Sequence, residues 1–147
     1  MNKEIIKSIE YFQPFEGKYK GMEGYKIVTD KQEILILINN SQQCCEEWGY
    51  EACSSEGIIE TKDDFKDFID AELISIESIY PETHNGISVY NALLEEISYD
   101  RSEIAAEFVN IKTSNGLLQF AVYNCHNGYY GHKIYIKFNN EVIDSQL

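Results

Sequence analysis

The most reactive side chains of this sequence belong to four cysteines and three histidines. Thiolate and imidazole groups are ligands that Zn²⁺ prefers, so a zinc site would form if residues 42–50 lay beside residues 124–132. The candidate ligands are Cys44, Cys45, Cys53, Cys125, His126 and His132. Adjacent cysteines such as Cys44 and Cys45 seldom both bind one ion, and free cysteine often packs as a small apolar residue. We therefore predict no metal and no other cofactor.

The same residues suggest a second hypothesis, a thiol nucleophile in which His126 activates Cys125. Successive side chains on a strand point to opposite faces, however, which separates two sequence neighbours. Carboxylates are plentiful at Asp63–Asp70 and at Glu95–Glu96, where the pattern is typical of a solvated surface. A hydrolase would instead need carboxylates that converge in a cleft. We predict that the protein has no catalytic residue and is not an enzyme.

Aromatic side chains concentrate in two glycine-containing segments, residues 42–50 and residues 123–135. Tyrosine and tryptophan combine a large contact area with a polar atom, and they are therefore common at binding sites. The alternative is that several of them belong to the core or to a sheet face. The predicted binding residues in these segments are Trp48, Tyr50, Asn127, Gly128, Tyr129, Tyr130 and His132.

The formal net charge is −13, and it is unevenly distributed along the chain. Residues 1–45 carry equal numbers of acids and bases, so the excess of acids lies between Glu46 and Glu107. Such a field repels nucleic acid and membrane surfaces and attracts basic proteins, although acidity can also serve only to keep a protein soluble. The acidic residues predicted to contact a basic partner are Glu46, Glu47, Glu51, Asp63, Asp64 and Asp67.

The strongest structural signal is a β-hairpin in the last third of the chain. Strands are predicted on either side of Ser114-Asn115-Gly116, at Glu107–Thr113 and at Leu117–Tyr123. Asn-Gly between two such runs favours a tight hairpin turn, because both residues tolerate positive φ. A further strand is predicted at Lys133–Phe138, and we expect the polar tail after it to be partly loose.

The first third of the chain predicts more strands. Tyr25–Thr29 and Glu33–Ile38 are separated by a short polar turn. Five consecutive branched residues, Ile34–Ile38, lack alternation, which is typical of a strand that is buried on both faces. Residues 3–12 fit either an amphipathic helix or an edge strand.

The middle of the chain mixes helix and strand signals. Thr61 followed by Asp64 resembles a capping box and predicts a short helix over Lys62–Ile69. Ala71–Tyr80 is predicted to be a strand, with Ile74 and Ile76 on one face and Leu73 on the other. Apolar residues between Val89 and Ile97 recur at helical spacing and could form a second helix.

These elements predict an α+β fold, mostly an antiparallel β-sheet of about five to seven strands with one or two short helices. The length of 147 residues favours one domain over residues 1–147, with a core of residues 25–138. No apolar run is long enough to cross a membrane, and the N-terminus does not resemble a signal peptide. We therefore expect a cytoplasmic protein of the host cell with reduced thiols.

Two short motifs resemble those of an uncharacterised domain family of phages and bacteria. Gln43-Cys44-Cys45-Glu46 is similar to a Q-x-C-C-E motif of that family, and Asn127-Gly128-Tyr129-Tyr130 is similar to its N-G-Y-Y element before the last strand. The family's spacer between these motifs is shorter, so residues 81–103 resemble an insertion. The resemblance implies a compact sheet domain of phage or prophage origin, and it implies no activity.

Two functions of different classes follow from these observations. The first is a non-enzymatic, acidic interaction protein that binds and inhibits a basic host protein such as a nuclease or another defence component. Here the two aromatic segments would meet at one edge of the sheet, beside an acidic flank. The second is a module that binds a nucleotide-like small molecule in a pocket between Cys44–Tyr50 and Asn124–His132. The sequence leaves the oligomeric state open.

Overall fold

The computed structural model describes residues 2–41, 47–79, 105–125 and 131–147. Within these ranges the chain forms two five-stranded antiparallel sheets. The first sheet has the order β1-β2-β3-β9-β10, with β1 at Ile6–Phe12, β2 at Met22–Thr29, β3 at Glu33–Asn39, β9 at Lys133–Phe138 and β10 at Glu141–Gln146. The second sheet has the order β5-β4-β8-β7-β6, with β5 at Gly57–Ile59, β4 at Glu47–Ser54, β8 at Gly116–Cys125, β7 at Ala105–Thr113 and β6 at Leu73–Ile79.

The two sheets share one apolar core. The first sheet contributes inward-facing residues such as Ile27, Ile36 and Ile136, and the second contributes residues such as Val109 and Phe120. A single 3₁₀ helix, Lys62–Phe68, is the helical element among the described residues. It adds Phe65 and Phe68 to the same core. The prediction of a mostly antiparallel β-sheet protein is confirmed, but the strands are more numerous than expected and form two layers.

Strand β3 confirms the prediction for the run of branched residues. Ile34, Ile36 and Ile38 face the core between the sheets. Leu35 and Leu37 point the other way, into a second apolar cluster on the outer face of the first sheet. All five residues are fully buried, because β3 is the central strand and both of its faces are covered.

The hairpin of β7 and β8 is also confirmed, with one difference in its turn. Thr113 pairs with Gly116, so Ser114 and Asn115 occupy the two turn positions. The positive φ falls on Gly116, at 122°, and Asn115 keeps a negative φ. Asn115 instead donates through Nδ2 to the carbonyl oxygen of Asp67 at 2.7 Å, which joins the hairpin to the 3₁₀ helix.

Both ends of the chain form strands. Of residues 3–12, Ile6–Phe12 form the edge strand β1. Its Ile6 and Ile9 are buried in the core, outside the predicted core range. The prediction that the tail after Phe138 is partly loose is wrong, because residues 141–146 form the strand β10. Asn139 and Asn140 have φ values of 51° and 63°, as a type I′ turn requires, and they lead directly into β10.

Strand β6 differs from its prediction in the facing of its side chains. Leu73 and Ile76 both contact the main core, whereas Ile74 is 52% exposed. A register shift between Leu73 and Ser75 in the pairing of β6 with β7 explains the difference, because an extra residue reverses the alternation of faces. The predicted helix near residues 89–97 and the predicted insertion at 81–103 lie outside the described residues.

Within the described ranges, no helix is both long enough and apolar enough to cross a membrane.

Candidate functional site

The two aromatic segments predicted to lie together do make contact. The ring of Trp48, in β4, stacks on the ring of His132, just before β9, with centroids 5.3 Å apart and planes at 28°. The backbone of Glu47 pairs with that of Cys125, which brings the start of β4 beside the end of β8. These contacts define one end of the molecule, which we call the Trp48 end.

His132 is fixed at this end by hydrogen bonds. Its Nδ1 lies 2.7 Å from the carbonyl oxygen of Asn39, and its backbone exchanges two hydrogen bonds with Leu147 at 2.9 and 2.8 Å. A carbonyl oxygen can only accept, so Nδ1 carries the proton, and in the neutral ring Nε2 is then the acceptor. The residue is 1% exposed. The ring therefore serves as a buried platform for Trp48.

Tyr50 lies two residues beyond Trp48 on the same face of β4, and it reaches across to the first sheet. Burial raises the pKa of its phenol, and the carboxylate of Glu23 in β2 adds to this through its charge and a hydrogen bond. Glu23 also accepts a hydrogen bond from Nδ2 of Asn40 at 3.2 Å. The Tyr50 ring meets the buried ring of Tyr25 edge-on, with centroids 5.3 Å apart. Glu23 could not be predicted as part of this site, because one acid in a strand carries no distinguishing pattern.

One of the predicted acidic residues of the 3₁₀ helix, Asp67, lies away from Trp48. Asp67 is tied to Asn115 at the start of β8, whereas Trp48 pairs with Asn124 near the end of that strand. Nine residues of strand correspond to about 30 Å at roughly 3.3 Å per residue. The structure therefore places Asp67 near the opposite end of β8 from Trp48. The expectation that the acids of the helix, Asp63, Asp64 and Asp67, flank the aromatic edge stays a prediction.

Of these three acids, Asp64 has a structural role. Its Oδ2 accepts hydrogen bonds from the backbone N–H groups of Glu60 and Thr61, each at 3.2 Å. This is the capping arrangement that the Thr61–Asp64 spacing predicts. The helix that it begins is of the 3₁₀ type and ends at Phe68.

The acids of the helix line a groove against the edge strand β5. This acidic groove has a volume of about 250 Å³, and four acidic residues and one lysine line it. The charged residues are Glu56, Asp63, Asp64, Asp67 and Lys66. Strand β5 has three residues and lies at the edge of its sheet, so the groove runs beside a strand edge that pairs with no other strand among the described residues.

Cys53 is the one candidate metal ligand among the cysteines whose side chain is described. It is fully buried, and its Sγ lies 3.8 Å from Oε1 of Gln119. Burial raises the pKa of the thiol to about 12, so the sulfur stays protonated at neutral pH and is a poor ligand or nucleophile. Among the residues that the structure describes, no group of three or more His, Cys, Asp or Glu side chains could hold a metal ion.

Several predicted site residues lie outside the described ranges. They are Cys44, Cys45, Glu46, His126, Asn127, Gly128, Tyr129 and Tyr130. Glu47 and Cys125 are placed by their backbone pairing alone. The prediction of no metal site and the N-G-Y-Y part of the binding hypothesis therefore stay predictions.

Together these features define a class, an antiparallel two-sheet β-domain with an aromatic end and a separate acidic groove. The chain belongs to the family described as Domain of unknown function (DUF7448), whose model matches residues 1–136. No curated protein and no solved structure matches the chain. The resemblance to a family of unknown function is thus confirmed at that level. The match starts at residue 1 and so includes β1 and β2.

Proposed function

We propose that this protein is a non-enzymatic interaction protein that binds a basic protein partner in the acidic groove. The phage or prophage origin, and the inhibition of a host nuclease or other defence component, are parts of the same proposal. The observation that carries it is the groove between β5 and the 3₁₀ helix, where carboxylates outnumber ammonium groups four to one.

The position of the groove favours an extended basic segment as the part of the partner that binds. Edge strands offer backbone N–H and C=O groups to an added strand, and β5 is an edge strand. A segment that paired with β5 would place its side chains near Asp63 and Asp67, both of which are exposed. Lysine or arginine at those positions would form ion pairs at the rim.

The net charge of −13 adds a long-range contribution to the association rate. Electrostatic steering can raise the rate of association of oppositely charged proteins by orders of magnitude at low salt. Salt screens this attraction over a distance of about 8 Å at physiological ionic strength. Binding that depends on the groove should therefore weaken strongly as salt is added.

The test compares capture of host proteins by two variants of equal net charge. D63N/D67N removes two carboxylates from the groove and leaves the capping residue Asp64 intact. E16Q/E141Q removes two exposed carboxylates outside it. We expect a basic protein retained at low salt by the wild type and by E16Q/E141Q, and lost with D63N/D67N. The captured protein should also lose its own activity when it is bound. Equal capture by both variants, or no capture at low salt, would contradict the proposal.

The second candidate function, binding of a nucleotide-like small molecule at the Trp48 end, is favoured by the stacking of Trp48 on His132. Trp48 is the only tryptophan of the chain, so tryptophan fluorescence measures ligand binding at this end directly. A ligand bound beside it should change its fluorescence and raise the melting temperature. Nucleotides and cyclic nucleotides that leave the fluorescence of Trp48 unchanged would exclude this candidate.

A further inference from the structure

A basic groove lies on the outer face of the first sheet, on a protein that is otherwise strongly acidic. It has a volume of about 270 Å³, and three lysines line it together with one carboxylate and two tyrosines. These residues, which we call the lysine–tyrosine groove, are Lys18, Lys20, Lys133, Asp144, Tyr19 and Tyr135.

The loop before β2 is held against the sheet, so its lysines have a defined position. Hydrogen bonds from Lys20 N to Gly17 O at 3.2 Å and from Met22 N to Tyr19 O at 3.1 Å form two successive turns. The Tyr19 side chain packs on the cluster of Met22, Leu35 and Leu37. A loop anchored by an aromatic residue loses less conformational entropy when it binds a ligand.

Strand β9 supplies the other side of the groove. Lys133 and Tyr135 are two residues apart and therefore share the outer face. Lys133 contacts Asp144 of β10 at 3.4 Å, and both side chains are at least half exposed, so this ion pair is weak and leaves the ammonium accessible.

The tyrosine rings bring the two sides together. Tyr19 and Tyr135 lie with centroids 5.2 Å apart, at an angle of 52°. The ammonium group of Lys18 lies 5.4 Å from the Tyr19 centroid and 5.6 Å from the Tyr135 centroid, which is within the range of cation–π attraction. The Lys18 ammonium group therefore lies against both tyrosine side chains, with their rings and hydroxyl groups within reach.

We propose that the lysine–tyrosine groove binds a small organic phosphate monoester, with its phosphate on the lysines and its carbon skeleton on the tyrosine rings. Ammonium groups are common phosphate binders, and aromatic faces accept sugars or bases. A small ligand is favoured over a nucleic acid because the groove is short and the molecule around it carries a net charge of −13. A phosphate dianion in the groove interacts mainly with the three lysines, because salt screens charges more than about one Debye length away. A longer polyanion would extend beyond the groove and be repelled by the acidic surface around it.

The test is calorimetric titration of the full chain with adenosine 5′-monophosphate, ribose 5-phosphate, inorganic phosphate and adenosine. We expect both organic phosphates to bind more tightly than inorganic phosphate, and adenosine to bind weakest. Comparison of the first two distinguishes a nucleoside from a sugar as the preferred skeleton. A short single-stranded oligonucleotide should bind no more tightly than the monophosphate at about 150 mM salt.

Two variants of equal net charge supply the control. K20Q/K133Q should weaken binding of the tightest phosphate at least about tenfold, because two charge-assisted contacts are lost. K112Q/K137Q removes two lysines outside the groove and should change the affinity less than about twofold. Y135L should reduce the preference for the organic phosphate over inorganic phosphate. No binding at about 10 mM ligand would overturn the proposal, and so would inorganic phosphate that binds as tightly as the esters. Tighter binding of the oligonucleotide than of the monophosphate, or equal effects of the two pairs of lysine substitutions, would also overturn it.

Discussion

Nδ1 of His132 lies 2.7 Å from the carbonyl oxygen of Asn39, so the platform for Trp48 is anchored to the end of the central strand β3. This hydrogen bond crosses between elements far apart in the sequence. It connects the Trp48 end to the most buried part of the molecule. Two substitutions of His132 distinguish the contribution of its aromatic ring from that of its hydrogen bond to Asn39.

Replacing His132 with Phe keeps an aromatic ring against Trp48 but removes the donor to Asn39. The hydrogen bond to Asn39 is partly buried. A buried carbonyl oxygen left without a partner costs about 1–3 kcal/mol, so H132F should lower the free energy of unfolding by up to that amount. H132N should restore most of the loss, because an amide N–H can take the position of Nδ1. Urea denaturation followed by Trp48 fluorescence measures both values. Equal stability of wild type and H132F would show that the hydrogen bond contributes nothing.

Gly24 is required because β2 and β3 approach each other closely. A Cβ atom at this position would lie 2.0 Å from the backbone oxygen of Ile36, and backbone cannot move aside as a side chain can. We expect G24A to destabilise the fold by more than about 3 kcal/mol. The control is G17A, at a turn with φ of 88° and no atom within 4 Å, which should cost about 1–2 kcal/mol. Circular dichroism during thermal unfolding would rank them, and the reverse order would contradict this account.

Glu107 is an acid on the core face of β7, paired with Val122 and 9% exposed. Burial raises its pKa above the ordinary value of 4.5. The folded protein therefore holds this proton more tightly than the unfolded chain does. The resulting stabilisation is complete at pH values below the pKa of Glu107 in the unfolded chain. It is lost as the pH rises through the pKa of Glu107 in the folded protein.

Replacing Glu107 with Gln removes this dependence. We expect E107Q to be more stable than the wild type at pH 7, with the difference shrinking towards pH 4. Urea unfolding across this pH range measures it, with the exposed E141Q as a control for the loss of one charge. A stability difference that does not vary with pH would show that Glu107 does not titrate between the two states.

Cys53 should resist alkylation in the folded protein. Its thiol is fully buried and has a pKa of about 12, so the reactive thiolate is scarce and inaccessible. Iodoacetamide at pH 8 followed by peptide mass spectrometry should leave Cys53 unmodified, and prior addition of urea should make it react. Rapid labelling without urea would mean that β4 opens readily.

The patterns that predicted correctly were those with a local physical cause. The branched run Ile34–Ile38 is buried on both faces because no polar side chain interrupts it, and the Thr61–Asp64 spacing caps a helix through bonds within one turn. The order of strands, and hence the division into two sheets, depends on pairings between distant residues such as Ile36 and Ile136. No short pattern in the sequence encodes such pairings.

The same difference between local patterns and long-range pairings applies to the candidate site. Trp48 and His132 were expected to lie in neighbouring segments, and they are in contact. The separation of these aromatic residues from Asp67 could not be inferred, because it depends on which end of β8 each element meets. The lysine–tyrosine groove could not be predicted, because its lysines are scattered over the two ends of a chain whose overall charge is negative.

The central position of β3 has a consequence for synthesis on the ribosome. One neighbour, β2, immediately precedes it, but the other, β9, pairs Leu35 with Lys137 about a hundred residues later. Until that distant segment has been translated, the strand with the longest aliphatic run has one unpaired edge. The nascent chain therefore exposes the unpaired edge of its most hydrophobic strand for most of its synthesis. Protection of this edge by a chaperone, or rapid completion of the chain, would govern the yield of folded protein.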